Sequence, residues 1–143
     1  MAKFNKIIVK NNENELIKAF ISRFKKKLKK NKRFSFVLTG GESPINLYKK
    51  LAKEKGINWK KIDFFISDER YVSEKSSSSN KNIFKKNLLN KINILKKQIY
   101  FFSTNNKSVK KDSELYEKKI LKFFNNKKII FDFILIGMGN DGH

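Results

Sequence analysis

The chain has 143 residues and carries 34 Lys and Arg against 13 Asp and Glu, a formal net charge of +21. An apolar content of 39% with 13% aromatics is enough for a packed core and argues against a disordered chain. Without cysteine there is no disulfide framework and no thiolate metal site, and a single histidine gives no basis for a structural zinc site.

The first residues, "MAKFNKIIVK", have no apolar segment of signal-peptide type, and no apolar run approaches the ~18 residues of a membrane span. The expectation is a soluble cytoplasmic protein. "NKIIVK" reads as a short strand. Residues 12–31 then space Leu16, Ile17, Phe20, Ile21, Phe24 and Leu28 as one face of a helix, with lysines opposite. "RFSFVLTGG" reads as a strand ending in two glycines, and Pro44 opens a helical pattern through Ile45, Leu47, Tyr48 and Leu51. "KIDFFIS" is a third strand and leads into the polar stretch "DERYVSEKSSSSN". Ser79 or Asn80 is placed to cap the next helix, which carries Ile83, Phe84, Leu88 and Ile92. "QIYFF" is a fourth strand, residues 108–125 form another amphipathic helix, and "IIFDFILIG" is the last strand. Strands alternating with helices of three turns or more predict an α/β fold: a parallel sheet with helices on both faces, Rossmann-like, in a single domain spanning 1–143.

The positive charge invites a nucleic-acid reading, but only three of the basic residues are arginine and the lysines spread over every predicted helix. Phosphate and base readout favours arginine forks in one patch. A solvated lysine-rich surface is the better reading, and no nucleic-acid partner is expected.

Against this Lys-, Asn- and Ile-rich background the rarer residues stand out. In a parallel α/β sheet ligands bind outside the carboxyl ends of the strands. Three predicted loops leave those ends: 39–44, 67–80 and 137–143. Five of the six glycines lie in the first and third, with the only proline, Pro44, and the only histidine, His143. Arg70 lies in the second. In "TGGESP", Gly40 and Gly41 permit positive φ or close backbone approach, and the helix N-terminus that follows offers free N–H groups to an anion. Thr39 and Ser43 add hydroxyls. The stretch matches neither the Walker pattern nor G-x-G-x-x-G.

Taken together, Gly40-Gly41-Glu42-Ser43-Pro44, Asp68-Glu69-Arg70-Tyr71-Val72 with Ser79-Asn80, and Gly137 to His143 resemble the signatures of the 6-phosphogluconolactonase family, in order and in spacing. The related glucosamine-6-phosphate deaminases share the fold and similar glycine motifs but usually carry "DEY" where this chain has "DER", so Arg70 favours the lactonases. The chain departs from the pattern at Glu42, Ser73 and Asn140. Family members also continue well past the histidine, so the resemblance implies an N-terminal portion, inactive on its own.

The resemblance implies hydrolysis of 6-phosphogluconolactone, a sugar phosphate, with no cofactor and no metal. A histidine suits activation of water near neutral pH, so His143 is the expected general base. Asp141 would orient it or hold a sugar hydroxyl. Arg70 would meet the phosphate or the developing charge. Thr39, Gly40, Gly41 and Ser43 would hold the phosphate, and Asp68 would position Arg70 or a hydroxyl. A nucleophilic set of Ser43, His143 and Asp68 is also open by residue type, although Ser43 stands before a proline and not in a G-x-S-x-G elbow. A deaminase and a non-catalytic basic binding protein are the alternatives.

Overall fold

The computed structural model describes residues 7–106, 108–139 and 141–142. Helix α1, Glu13–Lys30, starts where the Asn12 side chain accepts the Glu15 N–H at 3.0 Å. Glu13 and Glu15 in its first turn and Lys27, Lys29 and Lys30 in its last complement the helix dipole. It buries Ile17, Ile21, Phe24 and Leu28, the stripe read from the sequence. Strand β1, Phe34–Leu38, and strand β2, Ile62–Ile66, are buried at every position, as strands covered on both faces must be. Between them lies α2, Ile45–Lys53. After β2 come α3, Asn80–Asn87, β3, Ile99–Tyr100, α4, Val109–Phe123, and β4, Phe133–Ile134.

All pairings are parallel, in the order β3-β2-β1-β4. Successive residues of a strand face opposite ways, and the contacts divide accordingly. Phe34 and Phe36 of β1 meet Phe24 of α1, with ring centroids at 5.4 and 5.0 Å. They share one core with Leu47, Tyr48 and Leu51 of α2 and Phe84 of α3. On the other face Phe65 of β2 stacks on Tyr100 at 4.8 Å and meets Phe123 of α4 edge-on at 4.9 Å. Helices therefore cover both faces of the sheet, the expected three-layer arrangement. Each fully buried phenylalanine contributes about 1.5–3 kcal/mol of transfer free energy, and Phe24, Phe34, Phe36, Phe64, Phe65 and Phe84 are all at 0% exposure.

Two acidic groups, one inside β2 and one just before β4, hold the amino end of the sheet. Asp63 receives a bidentate fork from Arg33, at 2.5 and 3.0 Å, and the guanidinium lies 4.4 Å above the Phe123 ring. Asp132, the one charge in the last apolar run, accepts the Ser35 N–H and hydroxyl, each at 2.8 Å. That pair fixes the start of β4 against β1.

Three expectations change. Residues 7–10 of the anticipated first strand are not extended into any ladder, and Ile7 and Val9 are 85% and 84% exposed. A strand exists through the neighbour it bonds to, and none of the described strands takes this segment. The runs "QIYFF" and "IIFDFILIG" shrink to two paired residues each, because both are edges bonded on one side only. The third helix stops at Asn87, before Leu88 and Ile92; Leu88, at φ −133°, begins a separate short turn. Along β4 and its flanks Ile130, Ile136 and Met138 stand 63%, 77% and 82% exposed.

Candidate functional site

Chain order explains where a site forms. From β1 the sheet grows through β2 to β3, then returns to the other side of β1 with β4. The crossovers diverge between β1 and β4, and the crevice at their carboxyl ends is the place where open α/β sheets take ligands. The loops leaving those two strands are the two glycine-rich loops. They lie together: a Cβ built on Gly137 would stand 3.9 Å from the Thr39 hydroxyl.

The first loop is shaped from below and from the side. From below, the fully buried Tyr48 of α2 donates its hydroxyl to the Thr39 carbonyl at 2.6 Å and accepts the Thr39 N–H at 3.1 Å. Burial pushes the Tyr48 phenol well above its ordinary range, the hydrogen bond to Thr39 opposes this, and the nearby Asp68 carboxylate adds to the rise. From the side comes Asn80. A Cβ on Gly40 would fall 2.1–2.3 Å from the Asn80 amide atoms, so only glycine fits there. Gly41 has open space around it but a φ of +85°, which glycine adopts without strain. Pro44 is buried and stands as the N-cap of α2. Glu42 and Ser43 are exposed on the turn.

The second loop is tied to the first through the same Asn80. Its amide donates to the Asp68 carbonyl at 3.2 Å and to the Asp68 carboxylate at 3.0 Å. Asp68 also accepts the Ser67 hydroxyl at 2.7 Å. Glu69 turns inward to the start of α3. It accepts the backbone N–H of Asn80 at 2.7 Å, that of Lys81 at 2.9 Å and the Ser79 hydroxyl at 3.2 Å. A carboxylate at a helix N-terminus satisfies free donors and the dipole together. The Arg70 side chain is exposed, with no hydrogen bond or ion pair among the described residues.

The structure thus brings Thr39, Gly40, Asp68 and Asn80 into one connected cluster and sets Gly137 beside it. Asp141 lies on the exposed part of the third loop, where the Gly142 N–H closes a turn onto the Gly139 carbonyl at 3.0 Å. His143, the expected base, lies outside the described residues. Among the described residues no cluster of His, Cys, Asp and Glu is suited to a metal ion.

The model of the glucosamine-6-phosphate isomerases/6-phosphogluconolactonase family matches residues 10–143.

The chain belongs to this family.

Curated members similar to it include 6-phosphogluconolactonases. It is 34% identical over 122 residues to a 6-phosphogluconolactonase of Thermotoga maritima, covering 85% of this chain and 53% of that protein. A Synechocystis 6-phosphogluconolactonase is 32% identical over 125 residues, covering 85% and 52%. The crystal structure of the Thermotoga maritima 6-phosphogluconolactonase superposes with a TM-score of 0.82 at 29% identity, over 96% of this chain and 61% of that one. The chain spans about half the length of the curated relatives it matches. A monomeric glucosamine-6-phosphate deaminase shares the fold, with a TM-score of 0.83 at 17% identity. No described helix is long and apolar enough to cross a membrane.

Several residues that build the site carried no chemical signal in the sequence. Tyr48 and its counterpart Tyr116, which donates to the Ile66 carbonyl at 2.9 Å and accepts the Ile66 N–H at 3.1 Å, read only as apolar members of helix faces. Each braces the tip of one central strand, from opposite layers.

Proposed function

We propose that this chain forms the strand-tip part of a sugar-phosphate site and that the protein is a 6-phosphogluconolactonase. The observation that carries the reading is the junction at the β1/β4 crevice: a glycine turn at a helix N-terminus, packed against Asn80, whose amide is hydrogen-bonded to Asp68 of the loop that presents Arg70. Its relatives are named as enzymes of that activity. In this reading the free N–H groups of Gly40, Gly41 and Ser43, with the Thr39 hydroxyl, take the phosphate. The Arg70 guanidinium meets the anionic ligand or the charge that develops on the lactone oxygen. His143 takes a proton from the attacking water, and Asp141 orients the imidazole or holds a ring hydroxyl. Asp68 keeps Asn80 and the second loop in register. A lactone is an activated ester, so positioned water and a base are sufficient chemistry, and the proposal includes no cofactor.

Titration of the 143-residue chain with 6-phosphogluconate, followed by amide NMR, tests the reading. Shifts centred on Gly40, Gly41, Ser43, Arg70 and Asp141 are expected. Tighter binding of glucosamine 6-phosphate, or shifts confined to the lysine-rich helix faces, rejects it. Any turnover should be lactone hydrolysis lost in His143→Ala, not ammonia release.

A further inference from the structure

Arg70 is flanked on both sides by side chains tied to other parts of the chain. On its N-terminal side Glu69 is locked onto the start of α3, and its Oε1 also accepts the Arg70 N–H at 2.8 Å. The Arg70 carbonyl accepts the Val72 N–H at 2.8 Å, closing a tight turn. On its C-terminal side the Tyr71 hydroxyl reaches across 41 residues to the Asp112 carboxylate at 3.0 Å.

Asp112 is the only acidic side chain among the described residues at 0% exposure. It lies in the first turn of α4, where the helix dipole favours its charge. Its other partners are the Asn106 side-chain amide at 2.5 Å and the Asn106 N–H at 3.3 Å. Burial acts to raise the carboxyl, but the bonds from Asn106 and Tyr71 outweigh it and hold the group below the ordinary carboxylate range. A buried ionised carboxylate whose partners come from two loops is costly to leave half-satisfied. It therefore fixes those loops to each other.

We propose that Asp112, acting through Tyr71, is a positioning residue for Arg70: the α4 carboxylate sets where the loop of residues 67–79 holds the guanidinium over the strand tips. This rests on the reading above, in which Arg70 meets the anionic substrate. It adds to the site a helix from the opposite layer and the loop segment 101–106, which the three glycine and charge motifs do not include.

The test uses the 143-residue chain with Tyr71→Phe, Asp112→Asn and Arg70→Ala, alone and combined. Amide hydrogen exchange at Arg70 should quicken at least tenfold in Tyr71→Phe while exchange in β1 and β2 stays unchanged. Unchanged exchange at Arg70 in both Tyr71→Phe and Asp112→Asn overturns the proposal, whether or not any ligand binds. Titrated with 6-phosphogluconate, Tyr71→Phe should weaken binding about three- to tenfold, the worth of one hydrogen bond. In the Arg70→Ala background the same substitution should change binding less than twofold, because the residue through which it acts is gone. Equal losses with and without Arg70 overturn the positioning role. Absence of binding by the unsubstituted chain rejects the sugar-phosphate reading instead, and the exchange measurement then decides the clamp alone. If Asp112→Asn fails to fold, Tyr71→Phe, which keeps the exposed ring, carries both measurements.

Discussion

Replacing Tyr48 by phenylalanine isolates one oxygen atom at the base of the first glycine loop. The ring would keep its edge-on contact with Phe84, at 5.7 Å between centroids, so no cavity opens. What is lost is the hydroxyl that both donates to and accepts from the backbone of Thr39, at 2.6 and 3.1 Å. Each buried backbone group left without a partner costs about 1–3 kcal/mol. Thr39 is only half-buried, so water can recover one of its two groups, and a net loss of about 2 kcal/mol is expected. For a chain of this size that corresponds to roughly 5–10 °C in Tm. Thermal unfolding followed by circular dichroism gives the number, and amide exchange at Thr39 gives the location. A fall of under about 1 °C, or faster exchange everywhere except at Thr39, would refute the assignment of Tyr48 as a brace.

Other substitutions probe the neighbouring contacts. Gly40→Ala drives a methyl group into the Asn80 amide, which Asp68 holds in place. It should cost about 1–3 kcal/mol as overpacking, read as a lower urea midpoint and a shifted Asn80 side-chain resonance. Gly41→Ala meets no atom but must adopt a φ of +85°, so its loss should be about 1–2 kcal/mol and leave the Asn80 resonance in place. At high pH, Tyr116 acts in the same direction as Tyr48. Burial pushes its phenol up to about 12 from 10, against the hydrogen bond to Ile66. The folded state therefore holds this proton more tightly than the unfolded one. The contribution is complete below pH 10 and disappears as pH rises towards 12. Urea unfolding at pH 9, 10 and 11 should show the decline, and Tyr116→Phe should lessen it, leaving the part that the buried Tyr48 phenol supplies. A folded-state Tyr116 titrating at 10 would contradict the buried geometry.

What could be read from the sequence follows from how far each signal reaches along the chain. β1 and β2 were legible because five successive residues are apolar or satisfied on both faces, and α1 because its stripe holds from Ile17 to Leu28, about three turns. β3 and β4 were overestimated because apolar composition is a property of a segment, whereas pairing needs a partner strand alongside. The glycines at 40 and 41 were recognisable as a turn, but only the coordinates separate their reasons: one is crowded by Asn80 and the other has a left-handed backbone. In "DER", Asp68 and Arg70 read as site residues and Glu69 carried no role. In space Glu69 is used by the α3 amides, Asp68 by Asn80, and only the Arg70 side chain of the three has no hydrogen bond or ion pair among the described residues. Sequence spacing cannot reveal this, because the helix start that takes Glu69 lies eleven residues on. The tyrosine braces were hidden for the same reason, their backbone partners lying 9 and 50 residues away.

The open side of β4 has a consequence for how the 143-residue chain, taken by itself, behaves in solution. Unbonded strand edges flanked by bare isoleucines attract one another at contact, while a net charge of +21 repels over distance. Added salt leaves the first force almost untouched and shortens the second, from about 10 Å at 0.1 M to about 3 Å at 1 M. Dilute buffer should therefore keep these molecules dispersed. Concentrated salt, commonly used to free basic proteins from contaminating nucleic acid, should instead bring them together.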